Sequence, residues 1–185
     1  MKVLYINACA RKNSRTAGLA EALLKKLGGD REEVFLPEAG LVPVNEEVIL
    51  KRDAAQTSGD HSDKLFSYAK QFAAADEIVI AAPYWDLSFP SSLKVYFENI
   101  YVQGIVTRFH ADGTQEGLCK AKHLYYVTTA GGKLETKYGY EYVRTLVTAC
   151  FGVRETELLS AEMLDIDGFD AEEILADAMH RYGLA

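Results

Sequence analysis

The stretch "DEIVIAAPYWDLSFPSSLKVYFENI" (76–100) decides how the chain is organised. From Ile78 to Ala82 it is apolar at every position, without the every-second-residue alternation of a half-exposed strand. A strand of that kind is buried on both faces, as in a parallel sheet covered by helices. Pro83 to Pro90 then form a loop rich in aromatic residues. Beyond it Leu93, Phe97, Ile100 and Tyr101 recur at helical spacing. Strand, loop and helix in that order are most of one βαβ unit.

The same grammar repeats on either side. "KVLYIN" (2–7) reads as a buried strand, followed by a helix from about Thr16 to Leu27 with Leu19, Leu23, Leu24 and Leu27 on one face and Gly28-Gly29 at its end. "EEVFLP" (32–37) reads as a second strand closed by Pro37. Residues 38–60 form a long excursion holding a short helix, "NEEVILKRDAA", capped by Asn45; excursions of that length are usually lids or binding loops. A helix capped by Asp60 or Ser62 leads to the strand of 76–83. "VTRFHADGTQEG" (106–117) reads as a hairpin-like excursion around Asp112-Gly113. "AKHLYYVTTAGG" (121–132) is the fourth strand, with a helix near 139–151. "ETELLSAEM" (155–163) is the fifth, and a final helix is capped by Asp170.

Five strands alternating with five helices define an α/β chain, and right-handed crossovers restrict its topology. The expectation is a flavodoxin-like three-layer sandwich: a five-stranded parallel sheet of order 2-1-3-4-5, helices on both faces, and one domain spanning 1–185. Five strands favour that order over the six-stranded dinucleotide fold.

Bulk composition narrows the function. The 185 residues carry 20 Lys and Arg against 27 Asp and Glu, a net charge of -7, which argues against a general nucleic-acid binder. Cys9, Cys119 and Cys150 are odd in number and without CxxC spacing, so they read as reduced and packed, in a cytoplasmic setting. A single Lys before "VLYI" is too short for a signal peptide, and no apolar run nears the roughly 20 residues of a membrane span. His61, His110, His123 and His180 are scattered and match no metal-site motif, so no metal is expected.

In the expected sheet the tips of strands one, three and four lie side by side. The first tip, "NACARKNSRTA" (7–17), brings Arg11, Ser14, Arg15 and Thr16 to a helix start, where free N–H groups and the helix dipole favour an anion. It lacks GxGxxG and GxxxxGK[ST], which points to a monophosphate. The alternative is that Ser14 or Asn13 only caps the helix and the cations are solvated. The second tip carries Pro83, Tyr84, Trp85, Asp86 and Leu87, a surface suited to a flat ring or a partner; covering the sheet end is the other reading. The third, "TTAGGKLETKYGY" (128–140), offers Thr129, Ala130, Gly131 and Gly132, with Tyr138 and Tyr140 beyond, which serve either a ligand or packing. Together the tips outline a ligand with a phosphate at one end and a planar heterocycle at the other, an outline FMN matches.

The segments "INACARKNSRTAGLAEALL" (6–24), "ADEIVIAAPYWDLSFPSSLKVYFENI" (75–100), "TRFHADGTQEGLCKAKHLYYVTTAGG" (107–132), "LVTACFGV" (146–153) and "SAEMLDIDG" (160–168) resemble the flavodoxin-fold NAD(P)H-dependent FMN oxidoreductases of the azoreductase and quinone-reductase family. The resemblance covers nearly the whole chain. It implies FMN with its phosphate at Arg11, Ser14, Arg15 and Thr16, its ring on Pro83 to Leu87, and Thr129 to Gly132 along the other side. It also implies a homodimer and hydride passage from NAD(P)H through FMN to a quinone or azo acceptor. Tyr138 is a candidate to help the acceptor take up a proton. Two departures stand out: Asp86 where azoreductases usually carry Asn, and an Arg-rich rather than Ser-rich first loop. A flavodoxin-type electron carrier is the rival reading, opposed by the Arg-bearing first loop and the 38–60 excursion. A receiver domain would need an acidic pair where Asn7 and Ala8 stand.

Overall fold

A computed structural model describes all residues from Met1 to Ala185. Strands β1 (Lys2–Asn7), β2 (Asp30–Phe35), β3 (Glu77–Ala81), β6 (His123–Thr129) and β7 (Glu155–Ala161) form one sheet in the order β2-β1-β3-β6-β7. Every pairing in it is parallel. A two-stranded antiparallel ribbon, β4 (Thr107–Phe109) and β5 (Gln115–Gly117), stands apart from it. The five-strand order and the ribbon are those expected from sequence.

Successive residues of β1 explain the layering. Val3 and Tyr5 pack with Leu19 and Leu23 of α1 (Arg15–Leu27), together with Val79, Val127 and Leu159. Leu4 and Ile6 point the other way, into a larger core. That core holds Phe72 of α3 (Ser67–Ala74), Leu93 and Phe97 of α4 (Ser91–Ile100), and Val143 of α5 (Tyr140–Leu146). Both faces of the sheet are dry, so its strands need apolar side chains at odd and even positions alike. α6 (Ala171–Arg181) packs on β7, with Asp170 capping it through the N–H groups of Glu172 and Glu173 at 2.8 and 3.2 Å.

Four boundaries differ from expectation. β2 begins at Asp30 and ends at Phe35, because Leu36–Glu38 turn into a 3-10 helix with Pro37 in its first turn. β2 lies at the sheet edge, where only Val34 is fully buried and the apolar signal is thin. The excursion helix α2 runs Glu46–Ser58, longer than read, although Asn45 caps it as expected by accepting from Val48 N–H at 3.1 Å. It is anchored by Arg52, which donates to the Glu98 and Asn99 carbonyls at 2.8 and 2.9 Å. Neither Asp60 nor Ser62 caps α3: Asp63 accepts from Leu65 N–H and starts a 3-10 turn, Lys64–Phe66, that leads into the helix. β7 stops at Ala161, where residues 162–165 leave the sheet to bond the loop after β6.

Candidate functional site

The carboxyl ends of β1, β3 and β6 meet at a cleft of about 350 Å³, within the size range of small-molecule sites. Three walls enclose it, one from each strand tip.

The first wall is the entry to α1. Ser14 is the N-cap, its Oγ accepting from Ala17 N–H at 3.2 Å. The N–H groups of Arg15 and Thr16 find no acceptor in the protein, so two main-chain donors face the cleft at the positive end of a 13-residue helix. Arg11 lines the same wall, as do Ala10 and Asn13. Beneath it Cys9 is buried and its Sγ approaches the Ala81 carbonyl. Burial pushes the Cys9 thiol up, with Ser14 opposing, so it stays a neutral packing group.

The second wall is Pro83, Tyr84 and Trp85. Tyr84 N–H donates to the Thr129 carbonyl at 3.1 Å, which continues the sheet pairing one step beyond β3. The chain then reverses through Asp86 and Leu87, both left-handed at φ 50° and 67°, with Trp85 and Ser88 exchanging main-chain bonds of 3.1 and 2.8 Å. Trp85 and Leu87 remain 41% and 58% exposed. The third wall is Thr129 and Gly131, joined by Asp165 from the segment after β7. Thr16 and Thr129 share a hydroxyl hydrogen bond of 2.6 Å that ties the first wall to the third.

Of the residues singled out from sequence, Arg11, Ser14, Arg15, Thr16, Pro83, Tyr84, Trp85, Thr129 and Gly131 line one cleft. Asp86 and Leu87 form the tip of the reversal just outside it. Ala130 is buried and bonded to Ala161 and Leu164, and the Gly132 carbonyl accepts from Met163 N–H, so both support the wall from behind. Tyr138 stands 52% exposed beside the cleft; its carbonyl accepts from Ser88 Oγ at 2.7 Å, and Lys137 lies over its ring. Tyr84 Oη accepts from Glu135 N–H at 3.3 Å, a second tie between the aromatic loop and the loop after β6.

Ala10, Asn13 and Asp165 were missed by sequence reasoning. Asp165 is the most informative of them. It receives Arg15 Nη1 at 2.7 Å, and the same nitrogen reaches the Leu164 carbonyl at 3.2 Å. Its carboxylate lies against Gly131, where any Cβ would collide with it. The available signal was positional: "SAEMLDIDG" follows the fifth strand, on the side of the sheet where ligands bind.

Chemically, the cleft offers an anion seat at one end and an aromatic, partly apolar wall at the other. Residues 1–184 match a protein family described by its flavodoxin-like fold. The chain is 34% identical over 194 residues to the FMN-dependent NADH:quinone oxidoreductase 2 of Clostridium acetobutylicum, an alignment spanning 97% of this chain and 95% of that one. It superposes on the azoreductase of Bacillus anthracis with a TM-score of 0.82 at 21% identity, covering 98% and 96% of the two chains. An FMN-dependent NADH-azoreductase of the same species, solved in complex with FMN, superposes with a TM-score of 0.79 at 20% identity and covers 97% and 94%.

Proposed function

The chain belongs to the flavodoxin-like family of FMN-dependent NADH:quinone oxidoreductases, and from that premise we propose how its own cleft serves the reaction. It is an FMN-dependent oxidoreductase that passes a hydride from NAD(P)H to a quinone or azo-type acceptor. When bound, FMN supplies the two-electron chemistry, accepting from the nicotinamide and donating to the acceptor in turn. The protein's share is to hold, orient and shield.

The observation that carries this reading is the pairing, within one cleft, of unbonded helix-start amides with a flat aromatic wall. A phosphate monoester meets the first and a planar ring the second, and the cleft volume suits such a ligand. The residues fit the group on these grounds. Arg15 and Thr16 N–H, Ser14 Oγ and an arginine of the first loop hold the phosphate. Pro83, Tyr84 and Trp85 would support one side of the ring, and Thr129 and Gly131 would close the other, with Ala130 and Gly132 backing them. Gly131 keeps that wall thin.

Two ties, Ser88 to the Tyr138 carbonyl and Glu135 N–H to Tyr84, keep the aromatic loop from collapsing into the slot. Nicotinamide and acceptor would each be received at the open side of this slot, where the protein's task is orientation and exclusion of water rather than supply of a nucleophile. We assign Tyr138, exposed and tied by its carbonyl to Ser88 of the aromatic loop, the role of donating a hydrogen bond to a bound acceptor. Trp85, Leu87 and Tyr138 are exposed apolar side chains, and we assign them to contact with a second copy of the chain in a homodimer. The three cysteines are free, which suits a reducing cytoplasm, and no helix is long and apolar enough to cross a membrane.

The test is direct. Purified protein reconstituted with FMN is mixed with NADH without oxygen, then with benzoquinone. Bleaching of the bound flavin absorbance on the first addition and its return on the second is the expected result. Slow reaction with NADH, with electrons passed only to a protein acceptor, would mark an electron carrier instead. Failure to retain FMN at all would remove the reading.

A further inference from the structure

Two arginines line the cleft, and the family resemblance assigns both to the phosphate. Their surroundings differ. Arg15 Nη1 donates to the Asp165 carboxylate at 2.7 Å and to the Leu164 carbonyl at 3.2 Å. Arg11 makes no ion pair with any carboxylate.

Asp165 is not there by chance of a floppy side chain. Its segment is zipped to the loop after β6 by three main-chain bonds: Met163 N–H to Gly132 at 3.0 Å, Leu164 N–H to Ala130 at 3.2 Å, and Asp165 N–H to Gly131 at 2.9 Å. Met163 takes a left-handed φ of 67° within that zipper. The carboxylate rests over Gly131, where a Cβ would displace it. Backbone and neighbour together aim Asp165 at Arg15.

The pair does little for stability. The two side chains are 42% and 67% exposed, and exposed ion pairs contribute little net free energy. Its effect is on the charge the cleft presents. The charged residues lining it are Arg11, Arg15 and Asp165, two positive and one negative, a net of one positive charge. Arg15 already has its counter-ion. Arg11 does not.

We propose that Arg11 alone supplies the charge that recognises the cofactor phosphate, while Arg15 and Asp165 form a clasp that positions the segment after β7 as the far wall of the cleft. This rests on the FMN reading above and divides labour within it. Arg15 is thereby a positioning residue, and Asp165 limits how much negative charge the cleft attracts. The Arg15 main-chain N–H remains a phosphate donor, since it belongs to the helix start and is indifferent to the side chain.

The experiment measures Kd for FMN and for riboflavin, which lacks the phosphate, on the otherwise intact protein by flavin fluorescence quenching. The ratio of the riboflavin Kd to the FMN Kd reads phosphate recognition alone. Arg11→Ala is expected to cut the ratio about tenfold or more, the scale of a lost charge-assisted hydrogen bond. The double variant Arg15→Ala/Asp165→Asn removes the pair as a neutral unit and leaves the ratio unchanged, even if both Kd values rise together as the wall loosens. Asp165→Asn frees Arg15 and raises the ratio several-fold. Circular dichroism of each variant checks that the fold is retained. A ratio that falls for the double variant, or that holds for Arg11→Ala, overturns the division of labour but keeps the phosphate in this loop. Equal Kd values for FMN and riboflavin in the unaltered protein overturn the phosphate site itself, and the proposal with it.

Discussion

The reversal at Trp85–Ser88 stores strain that can be released and measured. Asp86 and Leu87 take φ values of 50° and 67°, the left-handed pair that a two-residue reverse turn of type I′ demands and that Asn-Gly satisfies best. A left-handed conformation costs an L-residue about 1–2 kcal/mol. Asp tolerates it better than Leu, through its short polar side chain. Leu87 is 58% exposed, so removing its side chain loses little packing. Replacing Asp86-Leu87 by Asn-Gly relieves most of that strain but adds back the unfolded-state freedom of glycine, about 0.5–1 kcal/mol. The net is a stabilisation of about 1 kcal/mol, or about 2–4 °C in Tm for a chain of this length. Thermal unfolding of the FMN-free double variant, followed by circular dichroism, reads it. Turnover with NADH and benzoquinone is expected to fall, because the tip of the ring-supporting loop loses its apolar side chain. Strain kept at a site and released at the cost of activity is the expected pattern. A Tm equal to or below that of the unaltered protein would refute the strain.

Three further outcomes are expected. Ser14→Ala removes the cap of α1 and one phosphate donor: stability falls by about 1 kcal/mol in a urea titration, and FMN binds more weakly than riboflavin's loss alone accounts for. Thr16→Val breaks the 2.6 Å bond to Thr129 beneath the cleft, costing about 1 kcal/mol; with Thr129→Val added, the double variant must cost less than the two single variants summed, and simple additivity in a double-mutant cycle would show the bond to be idle. Glu77 is held above its ordinary value of 4.5 by burial, with Asp76 and Glu155 adding to the rise and His123 opposing it, and its Oε2 is buried without a partner. The fold keeps that proton longer than the unfolded chain does, so stability is lost as pH rises from 4.5 through the raised value; Glu77→Gln should raise Tm at pH 7 and lose its advantage below pH 4.5.

The central sheet was legible because burial on both faces writes itself as unbroken apolar runs. Ile78, Val79 and Ile80 are fully buried, and the shortness of the run, its β-branched residues and the following Pro83 favour a strand over a helix. Legibility fell off where burial did. β2 carries Asp30, Arg31, Glu32 and Glu33 on the open edge of the sheet, where charge discourages further pairing, so its first half gives no apolar signal. α2 buries only Ala55 and is held by Arg52 on the α4 carbonyls, a contact spanning 46 residues that no local periodicity reveals.

The site was legible for a different reason: topology places it. Once the strand order is known, the tips of β1, β3 and β6 must be neighbours, and reading those three loops recovers most of the cleft. What topology cannot convey is conformation and pairing. Asp86-Leu87 does not look like a left-handed pair, since it lacks the Asn and Gly that usually announce one. Asp165 sits 150 residues from Arg15, at the tip of a strand outside the three that were read. A sequence shows Arg15 as a free cation beside Arg11, and only the folded chain shows that its charge is already matched. The number of basic residues in a loop is therefore a poor measure of the charge a ligand meets, because the opposing carboxylate can come from any strand end that shares the same side of the sheet.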